Sequence, residues 1–251
     1  MLTTHRRRLI LEKLHREGQV AAKDLSQELR LSEDTIRRDL RELAQEGLLQ
    51  RVHGGALPAS PAVADFAGRL ALSTEGKAVL GRAAARMIQP GQVVILDGGT
   101  TTLQTARHLP RDLRATVVTH SPTIALELVE HPHVEVILLG GRLFKHSVVA
   151  VGAATIEAIS RIRADLYFMG VTGIHPTAGL STGDLEEAHV KRALSTSAAE
   201  TIVLASPEKL NAASAFVIAP IKEANEIVVL RDTPNEATSE FERLGIMVTR
   251  V

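Results

Sequence analysis

Apolar residues recur at helical spacing up to about residue 58 and in short continuous runs beyond it, so the chain changes structural style part-way along. Leu9, Ile10 and Leu14 mark a first amphipathic helix, Leu25 and Leu29 a second, and Ile36, Leu40 and Leu43 a third. Gly18 closes the first. Arg30 and Leu31 make a tight connection to Ser32, a good N-cap for the third helix, whose first turn carries Glu33 and Asp34 on the side the helix dipole favours. After Gly47, the string LLQRVHGGALPA alternates apolar and polar positions until Gly54 and Gly55 interrupt it, which predicts a small hairpin, or wing.

From Lys77 the rhythm is α/β. Runs rich in Val and Ile at 93–96, 115–119, 134–141, 164–170, 201–206, 226–230 and 245–249 alternate with helical segments. Apolar runs of this length, separated by helices, indicate strands buried on both faces of a mostly parallel sheet. Several end in Gly, Thr or Ser, which puts small hydrogen-bonding residues at the carboxyl ends of strands, where open α/β sheets hold their ligands. The predicted organisation is a small helical domain with a wing at 1–57, a Pro- and Ala-containing linker at 58–76 whose apolar residues suggest that it packs on something, and a larger α/β domain at 77–251.

Composition narrows the chemistry. Lys plus Arg and Asp plus Glu both number 29, so a nucleic acid or anionic surface would have to be met by a local patch rather than by bulk charge. The absence of cysteine removes disulfides, thiolate nucleophiles and Cys-based zinc sites together. With no Trp and a single Tyr, Tyr167, aromatic stacking is not the main recognition device. The N-terminal sequence has no apolar leader segment and no later run is long enough to span a bilayer, so a cytoplasmic protein without a membrane partner is expected.

The third helix carries the most specific pattern. With Ile36, Leu40 and Leu43 turned to the core, Thr35, Arg37, Arg38 and Arg41 lie on other faces, with Arg37 and Arg41 one turn apart. Guanidiniums and a hydroxyl near a helix start suit the DNA major groove, where arginine reads guanine bidentately and a cap such as Ser32 can hold phosphate. The alternative is a solvated face on which these arginines pair with Asp34, Asp39 and Glu42. A two-helix lead-in, a tight connection, and a wing bearing Arg51 and His53 favour the winged helix-turn-helix arrangement.

The string from Leu31 to Gly55, with TIRRDLRELAQEG followed by RVHGGA, closely resembles the DNA-binding signature of the DeoR family of bacterial transcriptional regulators. The likeness covers nearly the whole chain, because later motifs follow in the family's order. It implies an operator-binding winged domain and an α/β effector domain similar in fold to ribose-5-phosphate isomerase, controlled by a phosphorylated sugar. Repression of carbohydrate or nucleoside catabolism follows, with Thr35, Arg37 and Arg38 on the operator and Arg51 and His53 along its backbone or minor groove. A homodimer or homotetramer reading two half-sites is the expected assembly.

In the larger domain, ILDGGTTT places Asp97, Gly98, Gly99, Thr100, Thr101 and Thr102 after an apolar run and at a helix start, which is how a chain seats a phosphate. By the resemblance this is the loop that opens the effector domain. The plainer alternative is a ligand-free turn with Thr100 as N-cap. Thr119, His120 and Ser121 end the next strand, Gly140, Gly141 and Arg142 the one after, and Gly170 to Gly173 a fourth, so several strand ends converge on one crevice. Lys209 resembles the lysine that follows a late strand in this family and in the isomerases, the alternative being an ordinary exposed lysine. Glu187 and Lys191, one turn apart, either line the crevice, as an acid and a base of the family pattern do, or form a routine surface pair. Two positions depart from that pattern: Ser206 stands where aspartate is common and His120 where asparagine is common, which leaves the phosphate seat intact and opens the sugar end.

Catalysis is the rival reading: a sugar-phosphate isomerase or deaminase with a DNA-binding appendage. It needs a poised carboxylate, yet the loop GVTGIHPTAG has none until Asp184, which leaves Glu187 as a lone acid in a thin constellation. A constitutive DNA-binding protein whose second domain only oligomerises is a further alternative. The ten histidines show no zinc spacing and read as surface or capping residues, His120 excepted; no metal and no cofactor are expected.

Overall fold

The computed structural model describes residues 2–251. Helices α1 (Thr3–Glu17), α2 (Ala22–Leu29) and α3 (Glu33–Gln45) enclose an apolar cluster of Ile10, Leu14, Leu25, Ile36, Leu40 and Leu43. Gly18 ends α1 at φ 72°, and the Ser32 hydroxyl accepts from the Thr35 N–H at 3.3 Å to cap α3. Strands β1 (Val20–Ala21), β2 (Leu49–Val52) and β3 (Gly55–Pro58) form an antiparallel sheet in the order β1-β3-β2. The paired glycines of the wing have different reasons. Gly54 takes φ 79°, whereas a Cβ on Gly55 would lie 1.9 Å from the Val20 carbonyl oxygen, so only glycine lets β1 approach β3.

The segment predicted as a linker is folded and packed. It carries a 3-10 turn at Pro61–Val63 and α4 (Phe66–Leu70), then runs into α5 (Thr74–Met87). The Phe66 N–H donates to the His146 carbonyl at 2.8 Å, and Ala213 N–H to the Pro58 carbonyl at 3.1 Å. Its apolar residues suggested packing; the particular contacts could not be read, because they are made by backbone groups and by residues far away in sequence.

Seven strands form one parallel sheet: β4 (Val93–Leu96), β5 (Thr116–Thr119), β6 (Glu135–Leu138), β9 (Ala164–Met169), β12 (Ala198–Ala205), β14 (Glu226–Val229) and β15 (Met247–Arg250). These are the seven apolar runs of the sequence, in the order β15-β14-β12-β9-β4-β5-β6. Side chains alternate between two cores, as period-2 geometry requires. Ile95, Tyr167, Met169, Val203 and Ile227 join one cluster, while Val94, Leu96, Phe168, Ile202 and Val228 join the other. On the first face lie α8 (Ala153–Ile159), α9 (Leu185–Thr196) and α10 (Ser239–Arg243); on the second lie α5, α6 (Thr100–Arg107) and α7 (Pro122–Leu128).

Besides β1, five short strands of the larger domain were not predicted. A hairpin of β7 (Arg142–Phe144) and β8 (Val149–Val151) and a small antiparallel sheet of β10 (Gly173–His175), β11 (Gly179–Thr182) and β13 (Phe216–Ala219) close over the carboxyl end of the main sheet. The chain leaves β4 toward β5 on one side and returns with β9 on the other, so the strand order reverses between β4 and β9. No helix among the described residues is long and apolar enough to cross a membrane.

Candidate functional site

On the winged domain two of the three acids offered as partners for the arginines of α3, Asp39 and Glu42, are taken by α1 instead. Arg6 holds Asp39 with both ends of its guanidinium, Nη2 to Oδ1 at 2.9 Å and Nε to Oδ2 at 2.5 Å. Arg7 pairs with Glu42 and, at 3.2 Å, with Glu46. Arg37 is tied to Glu33 one turn back, at 2.8 Å. Arg38 and Arg41 remain solvent-exposed with no carboxylate partner among the described residues, and Arg51 and His53 are exposed on the wing. The Thr35 hydroxyl sits 2.9 Å from that of Ser32 at the exposed helix start.

In the larger domain one cavity opens where the strand order reverses, at the carboxyl ends of β4, β9 and β12. Its walls include Gly98–Thr102, Gly170, Thr172, Thr182, Glu187, Lys191, Glu208 and Lys209. Below it lies Asp97, fully buried and saturated with donors. Its Oδ2 accepts from the Tyr167 hydroxyl at 2.8 Å, the Gly170 N–H at 2.7 Å and Lys191 Nζ at 2.7 Å. Its Oδ1 accepts from the Gly98 N–H and lies 2.8 Å from His120 Nε2. Burial acts to raise this carboxyl's pKa, but Lys191 and His120 together outweigh it and hold the group well below the ordinary carboxylate range. Burial and the same carboxylate push the Tyr167 hydroxyl well above its usual value.

Anchored on Asp97, the chain turns through Gly98 and Gly99 into α6. A Cβ on Gly98 would meet Val149 at 2.0 Å, and Gly99 takes φ 154°. Gly99, not Thr100, is the N-cap, so Thr100, Thr101 and Thr102 form the first turn of the helix. The first intrahelical bond runs from the Leu103 N–H to the Gly99 carbonyl at 3.0 Å, which leaves the three threonine N–H groups without an intrahelical partner at the cavity wall. The Thr101 hydroxyl is buried and has no hydrogen-bond partner. Lys209 enters on the turn Pro207–Lys209 after β12; burial, opposed by Glu208, pushes its ammonium down to about 8.

Glu187 is positioned by α9, whose N-cap Asp184 accepts from the Glu187 N–H at 2.9 Å. Its carboxylate accepts from the Ser147 and Thr182 hydroxyls, each at 3.2 Å, and lies 3.5 Å from Lys191. Arg69 reaches the cavity from α4. Its Nε and Nη2 are buried without a hydrogen-bond partner; burial lowers its pKa, against the pull of Glu187 and Asp97.

Several residues expected at the crevice are not brought to it. His120 is wholly buried beneath, with Nδ1 2.8 Å from the Ala150 carbonyl and Nε2 on Asp97, so it braces the floor. The Thr119 hydroxyl donates to the Leu96 carbonyl at 2.7 Å, and that of Ser121 lies 2.8 Å from the Thr123 hydroxyl. Gly140 and Gly141 pack on Thr155 at the start of α8, Arg142 is exposed on β7, and Gly173 lies in the small sheet, where a Cβ would meet the Ala212 carbonyl at 2.6 Å. These strand ends are drawn away by β7 and β8, which the sequence pattern did not reveal. Ser206 is also covered; its hydroxyl donates to Glu208 at 2.6 Å, so the acid at this corner of the cavity comes from position 208.

The pattern also missed Arg69, Lys77, Thr182 and Glu208, all of which line the cavity. Glu208 adjoins Lys209 at a strand end and could have been found; nothing in the sequence marked Arg69. Of the histidines read as surface or capping, His175 is a buried cap, its Nδ1 accepting from the Thr177 and Ala178 N–H groups at 3.2 and 3.3 Å. No group of metal-ligating side chains occurs among the described residues.

A winged helix-turn-helix domain joined to a doubly wound α/β domain with a polar, cation-lined cavity at its strand-order reversal defines a ligand-sensing class of DNA-binding protein. The comparisons give the family. Residues 6–61 match the DeoR-like helix-turn-helix domain and residues 72–230 the DeoR C-terminal sensor domain. The chain belongs to the DeoR family of transcriptional regulators. It is 33% identical over 250 residues to the HTH-type transcriptional regulator GlpR of Haloferax volcanii, covering 99% of this chain and 98% of that protein. It is 34% identical over 195 residues to the glycerol-3-phosphate regulon repressor of Escherichia coli strain K12, covering 77% of each. Among solved structures, ribose 5-phosphate isomerase A of Methanocaldococcus jannaschii aligns at 16% identity and TM-score 0.40 over 53% of this chain and 52% of that one.

Proposed function

We propose that this regulator represses genes of carbohydrate or polyol-phosphate use and that its sensor cavity binds a small phosphorylated metabolite that changes operator affinity. The observation that carries the reading is the first turn of α6: three N–H groups free of intrahelical partners and an unpartnered buried hydroxyl on Thr101, with the Lys209 ammonium in the same cavity. Buried donors without acceptors are costly, and a phosphate dianion supplies acceptors to all of them. A relative named for a glycerol-3-phosphate regulon supports a phosphorylated ligand.

Catalysis fits the cavity less well. A general base must be free to take a proton; the Asp97 carboxylate is held ionised by surrounding donors below the cavity floor, and Glu187 accepts from Ser147 and Thr182 and lies 3.5 Å from Lys191. On the DNA side, we assign base reading to Arg38 and Arg41, with Ser32, Thr35 and Arg37 at the helix start and Arg51 and His53 on the wing for the phosphate backbone. Two half-sites call for an even-numbered homo-oligomer, consistent with the exposed Leu126, Val129 and Leu138 on α7 and β6 and in the segment between them; light scattering of the purified chain tests this.

The ligand test is a thermal-shift screen with inorganic phosphate, glycerol 3-phosphate, ribose 5-phosphate, fructose 1-phosphate and glucose 6-phosphate. At least one compound raises the melting temperature of the wild type but not of Lys209→Ala or Thr101→Ala, and the same compound shifts operator binding. A screen in which none does, with operator binding intact, overturns the sensor reading.

A further inference from the structure

The cavity receives one cation from outside the sensor domain's sheet and helices. Arg69 belongs to α4, in the segment between the wing strand β3 and α5. At its upstream end this segment is continuous with Pro58, the last residue of β3, which pairs with both β1 and β2. At its downstream end the Arg69 carbonyl accepts from Lys77 Nζ at 2.6 Å, and Lys77 is itself part of the cavity wall. Between them, the Val63 carbonyl lies 2.9 Å from His146 Nε2. The DNA-reading wing and the cavity are therefore joined by one short run of chain, which lines the cavity with Ala62, Leu72 and the charged side chain of Arg69.

The guanidinium has no partner that explains its position. Its Nε and Nη2 are buried and hydrogen-bond to nothing, although Glu187 and Asp97 are near enough to favour its charge. Both carboxylates are already committed, Asp97 to Lys191 and its other donors, Glu187 to Ser147, Thr182 and Lys191. A planar fork with two free donors matches a pair of oxygens on a phosphate or on a polyol. The threonines and Lys209 approach the same space from the ends of β4 and β12, so a ligand there would be gripped by the sensor domain and the interdomain segment together.

We propose that Arg69 is a ligand-binding residue lent to the sensor cavity by the interdomain segment, so that ligand occupancy fixes α4 and, through it, the wing. Coupling requires a ligand to favour one arrangement of the protein over another, and a contact supplied by the connecting segment makes affinity depend on where that segment sits. The proposal rests on the reading of the cavity as a phosphorylated-metabolite site.

The test uses the full chain, an operator duplex selected by the wild type from a random library, and the phosphorylated compounds named above together with inorganic phosphate. Calorimetry measures binding of each compound, and fluorescence anisotropy measures operator affinity with and without it. Arg69→Gln weakens binding by about tenfold or more, and even at saturating compound its operator affinity no longer responds; Arg69→Lys recovers part of the binding. Unchanged ligand-free operator affinity and melting temperature show that the variants fold. If Arg69→Gln binds and responds like the wild type while Lys209→Ala does neither, the site reading stands and the role of Arg69 is overturned. If Arg69→Gln binds weakly but still responds fully at saturation, coupling through α4 is overturned. If the wild type binds none of the compounds, the site reading falls and this proposal with it.

Discussion

Lys191 Nζ lies 2.7 Å from Asp97 Oδ2, with both side chains buried, and this pair fixes the floor on which the threonine loop is built. The carboxylate also takes the N–H groups of Gly98 and Gly170, so one charge sets the strand-end geometry of both β4 and β9. Removing one partner of a buried ion pair leaves the other uncompensated in a medium of low polarity. Asp97→Asn should therefore destabilise the chain by about 3–5 kcal/mol, measured by urea unfolding. The double change Asp97→Asn with Lys191→Met should recover part of that loss. A single change within about 0.5 kcal/mol of wild type would refute the role given to Asp97.

The arrangement of charges around α3 separates stability from recognition. Asp39 serves the fold by holding Arg6 of α1, whereas Arg38 and Arg41 are exposed and unpaired. Arg38→Ala and Arg41→Ala should leave unfolding free energy within about 0.5 kcal/mol of wild type. Each should weaken operator binding by about 1–3 kcal/mol and relax specificity at one base position. Asp39→Ala should show the reverse order, with about 2–3 kcal/mol of stability lost first. Parallel unfolding curves and competition against mismatched operators distinguish the two behaviours.

The sheet was legible because its central strands are buried on both faces, as with Ile95 against Val94 and Leu96, and such strands read as unbroken apolar runs. The turn from Asp97 to Thr102 was legible because a tight passage from strand to helix requires glycine where Val149 crowds Gly98 and where Gly99 takes φ 154°. The strands β7, β8, β10, β11 and β13 are three or four residues long and no α-helix sets any of them off from the strand before it, so they fell outside the α/β rhythm, and they decide which strand ends reach the cavity. His120 was misplaced for that reason: nothing in the sequence shows that Ala150, on β8, closes over it. Arg69 lay hidden in a segment whose composition suggested a linker.

The two glycines of the wing give a local test of the fold. Ala at position 54 must take φ 79° in open space, at a cost of about 1–2 kcal/mol. Ala at position 55 meets the Val20 carbonyl, a backbone atom that cannot rotate away, so β1 must separate from β3. Gly55→Ala should lower the melting temperature of the winged domain more than Gly54→Ala and reduce operator affinity with it. Equal effects in both assays would contradict the close approach of β1 to β3.

Lys209 predicts how ligand binding depends on pH. Its ammonium is pushed down to about 8 by burial, against roughly 10.4 for an exposed lysine. Between these values the unfolded chain binds a proton that the folded, ligand-free chain does not, so the stability of the free protein rises with pH across that window. Ligand binding runs the opposite way, because an anion in the cavity favours the charged lysine. A phosphate monoester is already dianionic above its second pKa of about 6, so its own ionisation adds nothing further over this range. Affinity for the compound found in the screen should hold to about pH 8 and then fall, approaching tenfold per pH unit. Lys209→Met should bind weakly at all pH values and lose the dependence. Titration calorimetry from pH 7 to pH 9.5 reads both; a flat wild-type profile would remove Lys209 from the site.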